Sequence, residues 1–165
     1  MTEETNKKKG TEFENKVKQW FEAHFKSSFF QNKKLQVGKA PGKEHRFDLV
    51  NETKRIAIEC KCYTWTKTGN IPSAKLSTLN EAVFFLSFLR DYDYKTIIVM
   101  NKEPNPEKNE TLAEYYFRIY RYLLGETIIA EFDQEKSTMR FSPGFKSYNV
   151  GDKLPWENEE KVSNK

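Results

Sequence analysis

Two carboxylates and a lysine stand where strand geometry can bring them together: Asp48, then Glu59 and Lys61 with one cysteine between them. In an extended strand successive side chains alternate, so Glu59 and Lys61 share a face while Ile56, Ile58, Cys60 and Cys62 point to the other. One face is thus apolar and fit for a core, and the other carries a carboxylate and an ammonium. The segment Asn51-Glu-Thr-Lys54 reads as a tight turn between Phe47–Val50 and Arg55–Tyr63, an antiparallel hairpin that returns Asp48 to the side of Glu59. Two carboxylates a few ångströms apart repel unless a cation sits between them, so the pair is a natural Mg2+ site. A lysine beside that cation can orient an attacking water or stabilise negative charge growing on a phosphate. Alone, Glu59-Cys60-Lys61 has a plainer reading, a solvated face with a cross-strand ion pair. Asp48 opposite it, and the elements that follow, raise the cluster above that.

Periodicity supplies those elements. From Thr11 to about Lys26 the apolar residues Phe13, Val17, Trp20, Phe21 and Phe25 fall on one stripe, which predicts an amphipathic helix. At 100° per residue Glu14 lies roughly 55° from the centre of that stripe and Glu12 roughly 145° away, so Glu14 can face a sheet while Glu12 faces water. Residues 33–37 read as a short strand and 39–44 as a loop. Beyond the hairpin, Thr64–Pro72 is rich in turn formers. Ser73 is placed to cap a helix running to about Arg90, with Leu79, Val83, Phe84, Leu86 and Phe88 giving wide apolar coverage. Lys95–Met100 is a continuous apolar run, as in a strand covered on both faces. After a Pro- and charge-rich loop over 101–109, Thr111–Leu124 predicts a second strong helix with Leu112, Tyr116, Ile119 and Leu123 on one stripe and Gly125 at its end. Thr127–Phe132 reads as a strand, with a further short strand at 138–142. The expected fold is α/β in the order α-β-β-β-α-β-α-β, a mixed sheet flanked by helices, with no internal repeat.

At 165 residues the chain is expected to form one domain, over about 10–150. The first nine residues and residues 151–165 are polar and are read as a disordered segment and a frayed tail. With 32% of residues charged and 13 Phe, a charged surface over a Phe-rich interior is expected. No apolar run approaches the ~20 residues of a membrane span and the N-terminus lacks a signal-like apolar segment, so no membrane association and a cytoplasmic location are expected. Cys60 and Cys62 are the only cysteines and read as buried thiols; His24 and His45 do not recur at the spacing a zinc site would need. No organic cofactor is implied. The net charge of +4 is too small to argue nucleic-acid binding alone, but Lys33, Lys34, Lys39, Lys43, Arg46, Lys54 and Arg55 crowd one stretch, with Lys61, Lys67 and Lys75 following.

The order of elements, with an acidic residue on the second strand and Glu-X-Lys on the third, resembles the PD-(D/E)XK nuclease superfamily, the restriction-endonuclease-like αβββαβ fold. The resemblance spans roughly residues 10 to 132 and departs from the pattern at Phe47, which stands where the proline would precede Asp48. Gly10-Thr-Glu-Phe-Glu14 is similar to the Gly-x-x-hydrophobic-Glu element that many members carry on the first helix, which points to Glu14; an ordinary flanking glutamate is the alternative. The resemblance implies a Mg2+-dependent nuclease that hydrolyses phosphodiester bonds in DNA, of restriction or repair type. Asp48 and Glu59, helped by Glu14 and the backbone carbonyl of Cys60, would hold the metal, Lys61 would position the water, and Mn2+ would substitute for Mg2+. Lys75, near the start of the helix after the third strand, is a phosphate-contact candidate or else a solvated first-turn lysine. Lys67, Arg46 and Lys43 are the other expected nucleic-acid contacts, and Trp65 either tracks the backbone or covers a core edge. The tyrosines of the later helix, Tyr115, Tyr116, Tyr120 and Tyr122, read as core and partner surface, and a homodimer is one expected arrangement. Two rivals remain: a catalytically inactive DNA-binding or assembly module on the same fold, and a thiol hydrolase using Cys60 or Cys62 with a histidine. Strand alternation turns both thiols away from Glu59 and Lys61.

Overall fold

The computed structural model describes residues 2–158, whose strands lie side by side in chain order in one seven-stranded mixed sheet. The elements are α1 (Glu3–Phe25), β1 (Phe30–Val37), β2 (Lys43–Asn51), β3 (Ile56–Lys61), α2 (Ser73–Ser87), β4 (Lys95–Asn101), α3 (Leu112–Leu124), β5 (Ile128–Asp133), β6 (Thr138–Phe141) and β7 (Lys146–Tyr148). β3, β4 and β5 run parallel, and the remaining neighbours pair antiparallel. Each parallel step needs a crossover, supplied by α2 and then by α3. Every residue of β4 from Thr96 onward is buried, as its unbroken apolar run requires.

The sheet divides two cores. On one face Phe13, Val17, Trp20 and Phe21 of α1 pack on Leu49, Ile58, Ile97, Val99, Ala130 and Phe132. On the other, Leu76, Leu79, Val83 and Leu86 of α2 and Leu112, Ala113 and Tyr116 of α3 pack on Ala57, Ile98, Met100 and Ile129. The order and type of the elements agree with the sequence pattern; several ends and faces do not.

α1 starts at Glu3, not Thr11, so residues 3–9, expected to be disordered, are its first two turns. Thr2 caps it, its side chain accepting the Thr5 N–H, and Glu3 and Glu4 complement the positive end of the helix. No apolar residue occurs between Glu3 and Glu12, so that extension carries no stripe to read. At the other end the expected frayed tail folds back through residue 158: Leu154 is buried and Trp156 meets the Phe141 ring edge-on at 5.0 Å. The rest of that expectation, 159–165, lies outside the described residues.

Ser73 does not cap α2; it is the first helical residue, and the capping position falls on Pro72 with no side-chain cap bond. Phe84, expected in the core, is 60% exposed, because the buried stripe runs through Leu76, Leu79, Val83 and Leu86. In α3 the buried stripe is rotated by roughly 60° from the expected one, through Ala113 and Tyr116 to Leu124, which leaves Ile119 and Leu123 exposed. Thr111 and Glu114 close a reciprocal capping box at its start, and Gly125 at φ 56° ends it. β7 is an additional edge strand. No helix among the described residues is long and apolar enough to cross a membrane.

Candidate active site

The local geometry of β2 creates the site. Its ladder with β3 runs Asn51↔Ile56, Val50↔Ala57 and Leu49↔Ile58 and stops there. Its ladder with β1 keeps one register throughout but skips the pair of Asp48 and Asn32, and Asn32 adopts a left-handed φ of 52°. Side-chain alternation breaks at the same place. Leu49 belongs to the α1 core, yet Phe47, two residues away, belongs to the α2/α3 core. Asp48 thus sits on a local distortion of the strand, where the backbone no longer dictates which face a side chain takes.

β3 keeps its alternation. Ile56, Ile58, Cys60 and Cys62 turn to the α1 side. Glu59 and Lys61 turn to the other, as the sequence predicts. Asp48 Oδ2 accepts the Cys60 N–H at 2.8 Å, and the carboxyls of Asp48 and Glu59 meet side chain to side chain. Glu59 is 7% exposed. Burial first, and then the charge and hydrogen bond of Asp48, push its pKa up to about 9; Lys61 and the Asp48 backbone N–H pull the other way without prevailing. At neutral pH the Glu59 carboxyl therefore holds its proton.

Glu14 completes the acidic group from α1. Its Oε1 accepts a bond from Gln31 Nε2 at 3.3 Å, and Gln31 also holds Asn15 Oδ1 at 2.9 Å, which pins this turn of the helix to β1. Burial, and then Asp48, raise the Glu14 pKa. The half-buried Cys60 thiol turns to the α1 side of the strand, away from Glu59. Burial and the charges of Asp48, Glu14 and Glu59 hold it protonated, well above the ordinary thiol range, so it is a poor nucleophile.

Lys61 makes no ion pair within 4.0 Å among the described residues, although its charge is felt at Glu59, Cys60 and His45. Its side chain opens into a cleft of about 300 Å3 shared with Glu59, His45, Arg46, Thr78, Glu81 and Phe85. His45 stacks on Phe85 at 3.8 Å with planes 7° apart and meets Phe47 edge-on. Burial lowers its pKa, opposed by Glu81 and Asp48. His45, Thr78, Glu81 and Phe85 escape the sequence pattern: counted in twos from Asp48, His45 belongs on the opposite face, and only the break at Asp48 brings it round.

The remaining basic candidates divide. Arg46 lines the cleft. Lys75, exposed in the first turn of α2, lies 5.3 Å over the Tyr63 ring beside the mouth of the cleft. Lys67 sits on the exposed 66–69 turn, which Asn105 ties to its own loop through the Gly69 carbonyl at 3.2 Å, and it is not brought to the acids. Lys43 is at the opposite end of β2, roughly 16 Å along the strand from Asp48. Trp65 covers a core edge: it is 8% exposed, bonded to the Glu103 carbonyl and edge-on to Tyr115, which removes it as a nucleic-acid contact.

Among the described residues no three His, Cys, Asp or Glu side chains form a ready-made metal cage. One Asp48 oxygen is committed to the Cys60 N–H, and Glu59 faces Asp48 carboxyl to carboxyl. The donors are nonetheless all hard oxygens, the kind a divalent cation such as Mg2+ prefers. Comparison with protein-family models, with curated proteins and with solved structures returned no match.

Proposed function

We propose that this chain is a Mg2+-dependent nuclease of the PD-(D/E)XK type, with a restriction-endonuclease-like core formed by α1 to β5, and that it hydrolyses phosphodiester bonds in DNA. The observation that carries the reading is the contact between half-buried Asp48 and buried Glu59, with the Lys61 ammonium beside it and without an ion pair among the described residues. A buried acid held against a second, half-buried one is costly to fold around, and a structural role would be served better by an apolar pair. A cation-binding role accounts for them.

Asp48, Glu59 and the main-chain carbonyl of Cys60, with Glu14, are the groups that would hold Mg2+, and Mn2+ has the same preference for such donors. When bound, the metal supplies a water acidified toward neutral pH and neutralises charge on the phosphate. The protein does the rest. The Cys60 N–H fixes the Asp48 carboxylate, and Gln31 fixes Glu14. Lys61 directs its ammonium to the water and to the phosphate oxygens, where negative charge grows along the in-line path. Arg46 and Lys75 flank the cleft and draw the DNA backbone to it. A homodimer would present two such sites to the two strands of a duplex.

Plasmid nicking with Mg2+, with EDTA, and with Lys61→Ala tests this. Cleavage that requires the metal and disappears in the variant supports the reading. Cleavage that survives either change overturns it, and DNA binding without any cleavage by the wild type favours an inactive DNA-binding or assembly module.

A further inference from the structure

The cleft at Glu59 and Lys61 has features that metal-assisted phosphate hydrolysis does not use. One wall is aromatic: His45 lies flat on Phe85, and both rings border the cleft. Its rim carries the hydroxyl of Thr78, which is paired with the Tyr63 hydroxyl at 2.6 Å, and the carboxylate of Glu81, close enough to His45 to shift its titration. Lys75 stands beside the mouth, and the exposed Glu81 carboxylate shares the rim with it.

That arrangement suits a base better than a phosphate. An anionic phosphate would be repelled by Glu81, whereas a nucleobase offers amino and imino donors to a carboxylate and a flat face to an aromatic ring. A base inside a duplex shows only its edges; its face becomes available once it leaves the stack. The volume, about 300 Å3, is at the lower end for small-ligand pockets, roughly 300–1,000 Å3, and suits one ring system. We infer that this cleft receives an unpaired nucleobase, stacked on the His45–Phe85 pair with Thr78 and Glu81 at its edge, so that the preferred substrate is single-stranded or locally unpaired DNA. The inference deepens the nuclease reading and rests on it for the position of the neighbouring phosphate, at Lys61 and Arg46.

Binding measured in EDTA separates the two. Fluorescence anisotropy would compare a labelled single-stranded oligonucleotide, its perfectly paired duplex, and the same single strand carrying abasic positions, all at one salt concentration. Wild type is expected to bind the single strand about tenfold more tightly than the duplex, and the abasic strand about tenfold more weakly than the intact one. Phe85→Leu, which keeps apolar volume, and His45→Ala are each expected to weaken single-strand binding by about the same factor and duplex binding by less than about twofold. Equal affinity for single strand and duplex, or no effect of removing bases, overturns the inference; the abasic comparison needs no variant to fold. A protein that prefers the unpaired strand yet leaves it uncut with Mg2+ upholds the base cleft and overturns the nuclease reading. One that cuts duplex and single strand at equal rates does the reverse.

Discussion

Asp48 accepts the Cys60 N–H through its side chain, at 2.8 Å, immediately past Leu49↔Ile58, the last pair of the β2–β3 ladder. A carboxylate has replaced a main-chain acceptor at the point where two strands part. This one bond ties the open end of the hairpin and fixes the Asp48 carboxylate to the backbone of β3, a regular strand. Sites held on strands keep their geometry more tightly than sites on loops.

Lys61 is the residue through which catalysis and binding can be told apart. Lys61→Ala is expected to lower the single-turnover cleavage rate by about 10²–10³, the usual loss for one preorganised donor at developing charge. Oligonucleotide affinity in EDTA should change by no more than roughly threefold, since one of several phosphate contacts is removed. A matching fall in both would make Lys61 a binding residue only.

The pH dependence of stability follows from Glu59. Its folded pKa of about 9 lies above the ordinary carboxyl value of 4.5, so between those values the folded chain holds a proton that the unfolded chain has released. Its contribution is therefore complete below about pH 4.5 and is lost as pH rises toward 9. Metal-free Glu59→Gln should melt higher than wild type at pH 8, by roughly 2–4 °C for each kcal/mol gained, and the gain should vanish near pH 4.5. Mg2+ should raise the wild-type Tm at pH 8 and leave the variant nearly unmoved. Thermal melts across pH with and without Mg2+ check both.

Glu14 and Gln31 act in series. Glu14→Gln is expected to weaken the apparent Mg2+ affinity for cleavage by about 10-fold or more, and Gln31→Ala to shift it the same way by less, as for partners that orient metal-binding groups. Titrating the cleavage rate against Mg2+ concentration reads this. Unchanged curves for both would make Glu14 a flanking residue of α1.

Thr111→Ala offers a control remote from the acids. It removes the capping box of α3 and should cost about 1 kcal/mol, a fall in Tm of roughly 2–4 °C, with cleavage per folded molecule unchanged. A loss of activity at full folding would place the start of α3 in the substrate path.

Asp48, Glu59 and Lys61 were legible because alternation in β3 and a short turn need only local rules. Among their neighbours Glu14, Arg46 and Lys75 were legible too, but His45, Thr78, Glu81 and Phe85 were not. His45 is three residues before Asp48, so strict alternation sends it away; the distortion at Asp48 and the left-handed Asn32 opposite it bring it back, and neither has a sequence signal of its own. The sequence pattern located the apolar stripe of α1 but not its first two turns, which the Thr2 cap and the helix dipole support without burial. Leu154 and Trp156 read as part of a polar tail because their partner, Phe141, is recruited by tertiary contact rather than by spacing. In α3 Tyr116 is buried with Phe117 and Tyr120 packed beside it, one of two overlapping stripes that periodicity alone does not choose between.

The most direct measurement is single-turnover cleavage of a labelled oligonucleotide with Mg2+ by Asp48→Asn, Glu59→Gln and the double variant, beside wild type. Groups that hold one ion act as a unit, so each single variant is expected to lose about as much as the double, on the order of 10³-fold or more. A single variant that cuts within about threefold of wild type, or losses that simply multiply in the double, would contradict a shared metal site at Asp48 and Glu59.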